Sequence, residues 1–399
     1  MNDLFITLVE SNSPIELAHL EVEGKTEGHG RIVVDDFCIV LRATIKATAN
    51  VRPGEYLKSK ATTLDGGILL ITGYVLSINK QPQSLAEYQR LVVRVDTVRA
   101  RASGKDPDED LTDAPEEITT NLAIPKLVAS NAATTTSVQT PMLGIGSHYT
   151  TRDCLVIRDN TYILEKKDLR ITWKPAPNQD VNSGIPFVAA VAYLHGAPAW
   201  YYYQRVRTKK DRFYVLRNDL KLPITSLTPL TNRLADLYPD HAINVLNSVT
   251  TLLSEHQFRQ ELHDVLHNFI VGTAQVVDGV AATLVAAAAT EGLCRILQNQ
   301  KTGDAKQVIR NTAKDLRLPK QIIDRGLTSW QRVRNELAHG HFYRAHDRYI
   351  NPDIPRCANE NILHDLSRVS GLFHALLLKT AGYAGPLAIS KLEDREAEI

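Results

Sequence analysis

A change of period divides the chain. Before Pro223 apolar residues alternate or gather in short β-branched blocks; after it they recur every three to four positions. A stretch patterned at period two buries one face only as a strand, and one patterned at 3.6 only as a helix. The switch therefore requires two differently built regions, and 399 residues leave room for two or three cores. The expected fold class is α+β: a β-rich N-terminal region of two sandwich- or barrel-like modules, then an all-helical bundle.

Residues 1–103 read as the first β-rich module. Leu4–Val9, Arg31–Val34, Phe37–Leu41, Ile68–Thr72 and Leu91–Val95 have strand composition, and Arg52-Pro53-Gly54 and Asp65-Gly66-Gly67 are turn signals between them. Residues 104–147 read as a linker or long loop, acidic over Lys105–Asp110 and Pro115–Glu117, then Thr/Ala/Ser-rich over Ala129–Thr140. Residues 148–222 return to strand patterning at Cys154–Ile157, Thr161–Leu164, Leu169–Trp173 and Phe187–Leu194. Trp200 to Tyr214 predicts a hairpin with its tip at Thr208–Asp211.

The helical region spans residues 223–390. Its periodicity predicts helices over Leu230–Leu237, Ala242–Ile270 (one long or two in succession), Gln275–Leu297, Asp304–Leu316, Gln321–His339 and Asn359–Thr380. The charged tail, residues 391–399, is expected to fray.

Charge and cysteine usage narrow the function classes. A formal net charge of +1 gives no whole-molecule attraction to nucleic acid, so any such binding must be local. Cys38, Cys154, Cys294 and Cys357 form no CxxC pair, which offers neither a zinc site nor a disulfide framework and fits a reducing cytosol. Met1-Asn2-Asp3 opens on an acidic residue with no long apolar core behind it, as expected of a cytoplasmic protein. The apolar run Val271–Ala289 contains Asp278 and is rich in Gly and Ala; it reads as a packed interior helix and not a membrane span. No P-loop, G-x-G-x-x-G or G-x-S-x-G appears.

Two basic regions stand out. The predicted hairpin carries Arg205, Arg207, Lys209, Lys210 and Arg212 between aromatics, a composition that suits stacked bases and tracked phosphates and equally a solvated, tyrosine-rich strand pair. Between Lys301 and Cys357 there are 12 Lys/Arg against 6 Asp/Glu, a local excess of six.

The second region holds the chemistry. In Arg334-Asn335-Glu336-Leu337-Ala338-His339-Gly340, Asn335 and His339 are four apart on one helix face, Arg334 is one step round, and Gly340 is a natural stop. A permanent cation, an amide and a titratable imidazole at a helix end suit phosphodiester chemistry. The same residues could do no more than neutralise the helix dipole. Glu291, on the preceding long helix, can pair with Arg334 or another cation. His263 and His267 sit one turn apart as in the H-E-x-x-H of zinc peptidases, with Glu291 at a plausible distance for a third ligand, but Asp264 stands where that pattern needs the longer base. Packing or surface histidines are the expected reading, with weak structural metal binding the alternative and no metal assigned.

The stretch resembles the signature of HEPN domains, in which an Arg followed by Asn, Asp or His precedes a His by four to six residues; its wording is most similar to the ApeA-like group. The resemblance covers about seven residues in motif and the helical region in architecture. It implies a metal-independent, cofactor-free endoribonuclease with Arg334 and His339 catalytic and Asn335 supporting. It also implies a site shared across a homodimer or higher homo-oligomer, and a place in anti-phage defence, abortive infection or a toxin-like system, with a phage trigger or regulatory protein as a further partner. Arg332, His341 and Tyr343 around the motif, with Arg205, Arg207, Lys209 and Lys210 of the hairpin, are the expected RNA contacts. A non-catalytic HEPN-like module that binds RNA or protein is the alternative, and a purely structural interaction protein the third reading.

Overall fold

The structure, a computed structural model, describes residues 13–22, 26–35, 38–46, 51–80, 88–108, 113–123, 152–157, 160–165, 170–175, 184–196, 200–217, 239–255, 257–274, 279–337, 357–390 and 395–398, together with Phe5, Leu8 and Pro198. It is mixed α+β and divides into two compact units: a β unit (1–123, 151–184 and 200–222) and a helical unit (124–150, 185–199 and 223–399).

Six antiparallel strands close the first part of the β unit into a barrel. They are β1 (Ile15–Val22), β2 (Thr26–Asp35), β3 (Cys38–Lys46), β4 (Tyr56–Thr63), β5 (Ile68–Lys80) and β6 (Tyr88–Arg101). Two meanders, β1–β2–β3 and β4–β5–β6, join along β1–β4 and β3–β6. Alternation decides which way each side chain points: in β4 Leu57, Ser59, Ala61 and Thr63 face inward, and Tyr56, Lys58 and Lys60 face out. The interior is filled by residues such as Leu20, Ile32, Leu41, Ile71 and Val95. Both turn signals lie where sequence places them; Gly54 and Gly66 have φ of 83° and 84°. Gly73 sits at a bulge between β5 and β6, where an added Cβ would lie 2.2 Å from the Arg94 carbonyl oxygen, so only glycine lets the strands close there.

The strand expected at Leu4–Val9 is corrected. Phe5 and Leu8 are helical and buried in the barrel core. Three positions apart, they share a helical face, which a β-rich composition disguises.

The two β-rich modules expected from sequence are one sheet. At 14 residues β6 outruns the barrel: its first half pairs with β3, and Thr97–Arg101 pairs with β12 (Arg212–Arg217). Beyond β12 follow β11 (Trp200–Arg207), β7 (Glu117–Ala123), β10 (Arg170–Lys174), β9 (Asn160–Glu165) and β8 (Arg152–Ile157), all antiparallel. A strand longer than its barrel leaves an edge that further strands must cover. β7 thus falls inside the segment read as a linker, and the acidic part of that segment is pinned to β4 by Lys60–Asp106 and Lys58–Asp108 ion pairs. Residues 124–147 lie outside the described residues.

The helical unit contains, among the described residues, α1 (Ile185–His195), α2 (Pro239–Glu255), α3 (Arg259–Ala274), α4 (Gly279–Leu297), α5 (Ala305–Asp315), α6 (Lys320–Leu337) and α7 (Cys357–Thr380). α2 and α3 resolve the 242–270 pattern into two helices. Asp304 caps α5 by accepting from the Lys306 N–H. α7 packs on α4 and α6, with Leu366, Val369, Phe373 and Leu377 buried. The run Phe187–Leu194, expected as a strand, is α1. A continuous apolar block carries no period, and three alanines favour the helix. The expected helix at 230–237 lies outside the described residues. The tail is corrected too: β14 (Arg395–Glu398) pairs with β13 (Pro386–Ser390). The apolar run 271–289 spans the end of α3 and the start of α4. Val280–Leu297 is long and apolar enough to cross a membrane, and half of it is buried within the fold.

A polar pair sits in the helical core. The Tyr193 hydroxyl and His374 Nδ1 share a 2.7 Å hydrogen bond, while His374 Nε2 has no partner and the ring lies edge-on to Phe269. Burial pushes the His374 imidazole down to about 3.

Two expectations follow from this packing. Gly73→Val should cost about 2–3 kcal/mol by overpacking, read as a lower urea midpoint. The His374 imidazole titrates lower folded than unfolded, so its contribution is complete above about pH 6.5 and is lost as pH falls toward about 3. Stability should drop by roughly 2 kcal/mol between pH 6.5 and 5, and His374→Gln should flatten that slope in urea titrations at the two pH values.

Candidate functional site

Three contacts place the end of α6. Gly326 lets α6 approach α7 closely: a Cβ there would meet Leu372 Cβ at 2.6 Å. One turn on, Trp330, 2% exposed, donates its indole N–H to the Ala287 carbonyl of α4 at 3.0 Å. Arg332 then grips Asp365 of α7 through both Nε (2.7 Å) and Nη2, and Asp365 is buried. Each contact joins α6 to a neighbour at a different height, so the helix can neither slide nor rotate freely.

Arg334 extends this ladder toward solvent. It follows Trp330 by four residues, and its Cζ lies 5.3 Å from the indole centroid. Nη1 is 3.7 Å from Glu291 Oε2, and Glu291 is also held by Arg295, whose Nε donates to Oε1 at 2.9 Å. The expected pairing of Glu291 thus involves both cations. Glu291 follows Ala287 by one turn of α4, so the carbonyl that receives Trp330 and the carboxylate that steadies Arg334 belong to one helix face. The Arg334 side chain is 46% exposed, and Asn335 beside it is exposed. The arrangement presents a guanidinium braced from below with donors left for an anion.

His339, His341 and Tyr343 lie outside the described residues. Arg332 is brought to the same helix end, but its guanidinium is committed to Asp365. The hairpin cations belong to the other unit. Arg205 Nη2 donates to Thr119 Oγ1 at 3.1 Å and pairs with Glu117, as does Arg207, while Lys210 lies 3.8 Å from Asp113. Asp211 closes the turn, accepting from Ser103 Oγ at 2.6 Å. Each of these carboxylates offsets part of the hairpin's charge; Lys209 at its tip is exposed.

The remaining candidates contribute less. Among the described residues no three His, Cys, Asp or Glu side chains gather as metal ligands. Burial, and then the neighbouring His267, hold His263 below its ordinary value, and its Nε2 lacks a partner. Burial pushes the Cys294 thiol up to about 12, which removes it as a nucleophile near neutrality.

Sequence reasoning missed Trp330 as the platform and Asp365 as the anchor of Arg332. The Glu291–Arg295 pair was readable from its i, i+4 spacing; a partner 33 positions away on another helix has no local signal. Arg332→Ala should destabilise the helical unit by roughly 2–3 kcal/mol because it strands a buried carboxylate. Arg334→Ala should cost under about 1 kcal/mol, since Glu291 keeps Arg295; thermal melts of the two variants make the comparison.

No family model matches the chain, nor does any curated protein or solved structure.

Proposed function

We propose that this chain is a metal-independent endoribonuclease of the HEPN type. The observation that carries the reading is the half-exposed Arg334 guanidinium, fixed over Trp330 and beside Asn335 at the end of α6. A cation held in advance where charge develops stabilises a transition state without reorganising at the moment of reaction.

In this reading the ribose 2′-oxygen attacks the adjacent phosphorus, and the P–O5′ bond breaks. His339 takes the 2′ proton or delivers one to the departing 5′-oxygen, Arg334 faces the pentavalent phosphorane, and Asn335 positions the reacting groups. The products are a 2′,3′-cyclic phosphate and a 5′-hydroxyl. His341 and Tyr343, close to the motif in sequence, are RNA contacts, with Lys209 and Lys210 as outlying ones. Two copies of the chain supply one motif each to a shared cleft. The β unit senses a phage trigger or regulator that releases the activity, in defence or a toxin-like role, in the cytoplasm.

The alternative, a non-catalytic module that binds RNA or protein, is favoured by the same contacts: Glu291 and Trp330 give Arg334 structural work without any substrate.

Incubation of the purified chain with total RNA in EDTA separates the two. Cleavage ending in cyclic phosphates is expected, with His339→Ala and Arg334→Ala each lowering the rate by roughly 10²–10³-fold in proteins that melt like the parent. Intact RNA in the presence of the trigger would establish the binding module, and a monomeric mass in solution would exclude the shared cleft.

A further inference from the structure

The outer face of the barrel carries an aromatic and basic stripe that the proposed nuclease chemistry does not use. Register sets it out. Tyr56 of β4 lies opposite Tyr74 of β5, and Tyr74 lies opposite Arg94 of β6. Residues directly opposite in antiparallel strands share a face, so the three stand side by side. Along β5 and β6 the same face continues through Leu76, at a bulge, to Arg90 opposite Asn79.

Exposure marks the stripe as unusual. Tyr56, Tyr74 and Leu76 are 47%, 53% and 54% exposed, three of the five large hydrophobic or aromatic side chains so exposed among the described residues. The tyrosine rings meet edge to face with centroids 4.9 Å apart, and the Tyr56 hydroxyl donates to Asp96 at 3.4 Å. That hydrogen bond and ring contact restrain two side chains that solvent alone would leave mobile. Arg90 and Arg94 are exposed and have no partner among the described residues. The neighbouring Lys58 and Lys60 are, by contrast, neutralised by Asp108 and Asp106.

From this juxtaposition we infer that the Tyr56–Tyr74–Arg94 face of the barrel binds single-stranded nucleic acid, with bases stacked on the two tyrosines and phosphates at Arg94 and Arg90. Restrained aromatic rings beside uncommitted cations are what a sequence-tolerant single-strand site requires. The complementarity also distinguishes this face from the hairpin, whose arginines already face carboxylates. Asp96, two residues beyond Arg94 on β6, limits where a phosphate can sit: it accepts from Tyr56 and repels anions, so the backbone runs from Arg94 toward Arg90, away from Asp96. The residues named here all belong to β4, β5 and β6, and binding here does not depend on whether the chain cuts RNA.

The test uses the full chain and a fluorescent 2′-O-methyl oligouridylate, which cannot be cleaved by its own 2′-oxygen, so failure to bind is distinct from failure to cut. Anisotropy should show saturable binding. Tyr56→Ala with Tyr74→Ala should weaken it by roughly tenfold or more, and Tyr56→Phe with Tyr74→Phe should retain it, because a phenyl ring still stacks. Arg94→Ala should reduce the slope of log affinity against log salt by about 1. Binding within about twofold of the parent for the double alanine variant would overturn the assignment. So would a parent chain that self-associates in the absence of nucleic acid and is made monomeric by the same two changes.

Discussion

Trp330 organises the helical unit. Among the described residues it is the largest fully buried side chain, and its indole N–H must find an acceptor once water is excluded. The acceptor is the Ala287 carbonyl, which is reachable only because α4 is lined with alanine around that position and α6 comes close. With that bond made, α6 has one rotation and one height relative to α4. Arg332 then meets Asp365 on α7, and Arg334 rises over the indole toward Glu291. The geometry of the exposed guanidinium is therefore inherited from a core contact. A shift of α6 by one residue would turn Arg334 through about 100° and break all three relations together.

In the β unit the comparable constraint is the length of β6. A strand of 14 residues serves two partners in succession, closing the barrel with its first half and starting the outer strands with its second. The bulge at Gly73 and that at Leu76 let β5 follow it through the bend. Leu76, two residues after Tyr74, faces outward with it by the alternation of the strand.

Much of this was legible in the sequence, for identifiable reasons. Helices with a clear stripe, such as Ala305–Asp315 with its Asp304 cap, are found within a residue or two of their expected ends. Glycine turns at Gly54 and Gly66 announce their strands because only glycine takes those φ angles without strain. What failed to read were features whose signal is not local. Phe187–Leu194 is apolar throughout, so neither period could be seen, and its place depends on Tyr193 meeting His374, 181 residues away. Glu117–Ala123 looked like a linker because a strand of ordinary polarity, paired on both sides, has no apolar run to declare it. At the candidate site, Arg334 and Asn335 were readable as a motif. Trp330 looked like an ordinary core residue, and Asp365 had no mark at all.

Charge was the most misleading guide, because composition counts cations without counting their partners. The hairpin carries five in eight residues, yet Glu117 alone engages two of them. Arg295, Arg332, Lys58 and Lys60 are committed in the same way. Exposed ion pairs add little stability, but they remove their charges from the field that a polyanion meets at a distance. On a chain of net charge +1, an exposed cation that is only weakly held keeps its positive potential. Arg334 meets that condition at the end of α6, and Arg90 and Arg94 meet it on the barrel. In the binding inferred for the barrel face, affinity would come mainly from stacking and from a few short-range phosphate contacts, which would make it shallow in salt dependence compared with that of a uniformly basic protein. The same inference entails selectivity for single strands, since only unpaired bases can reach a ring.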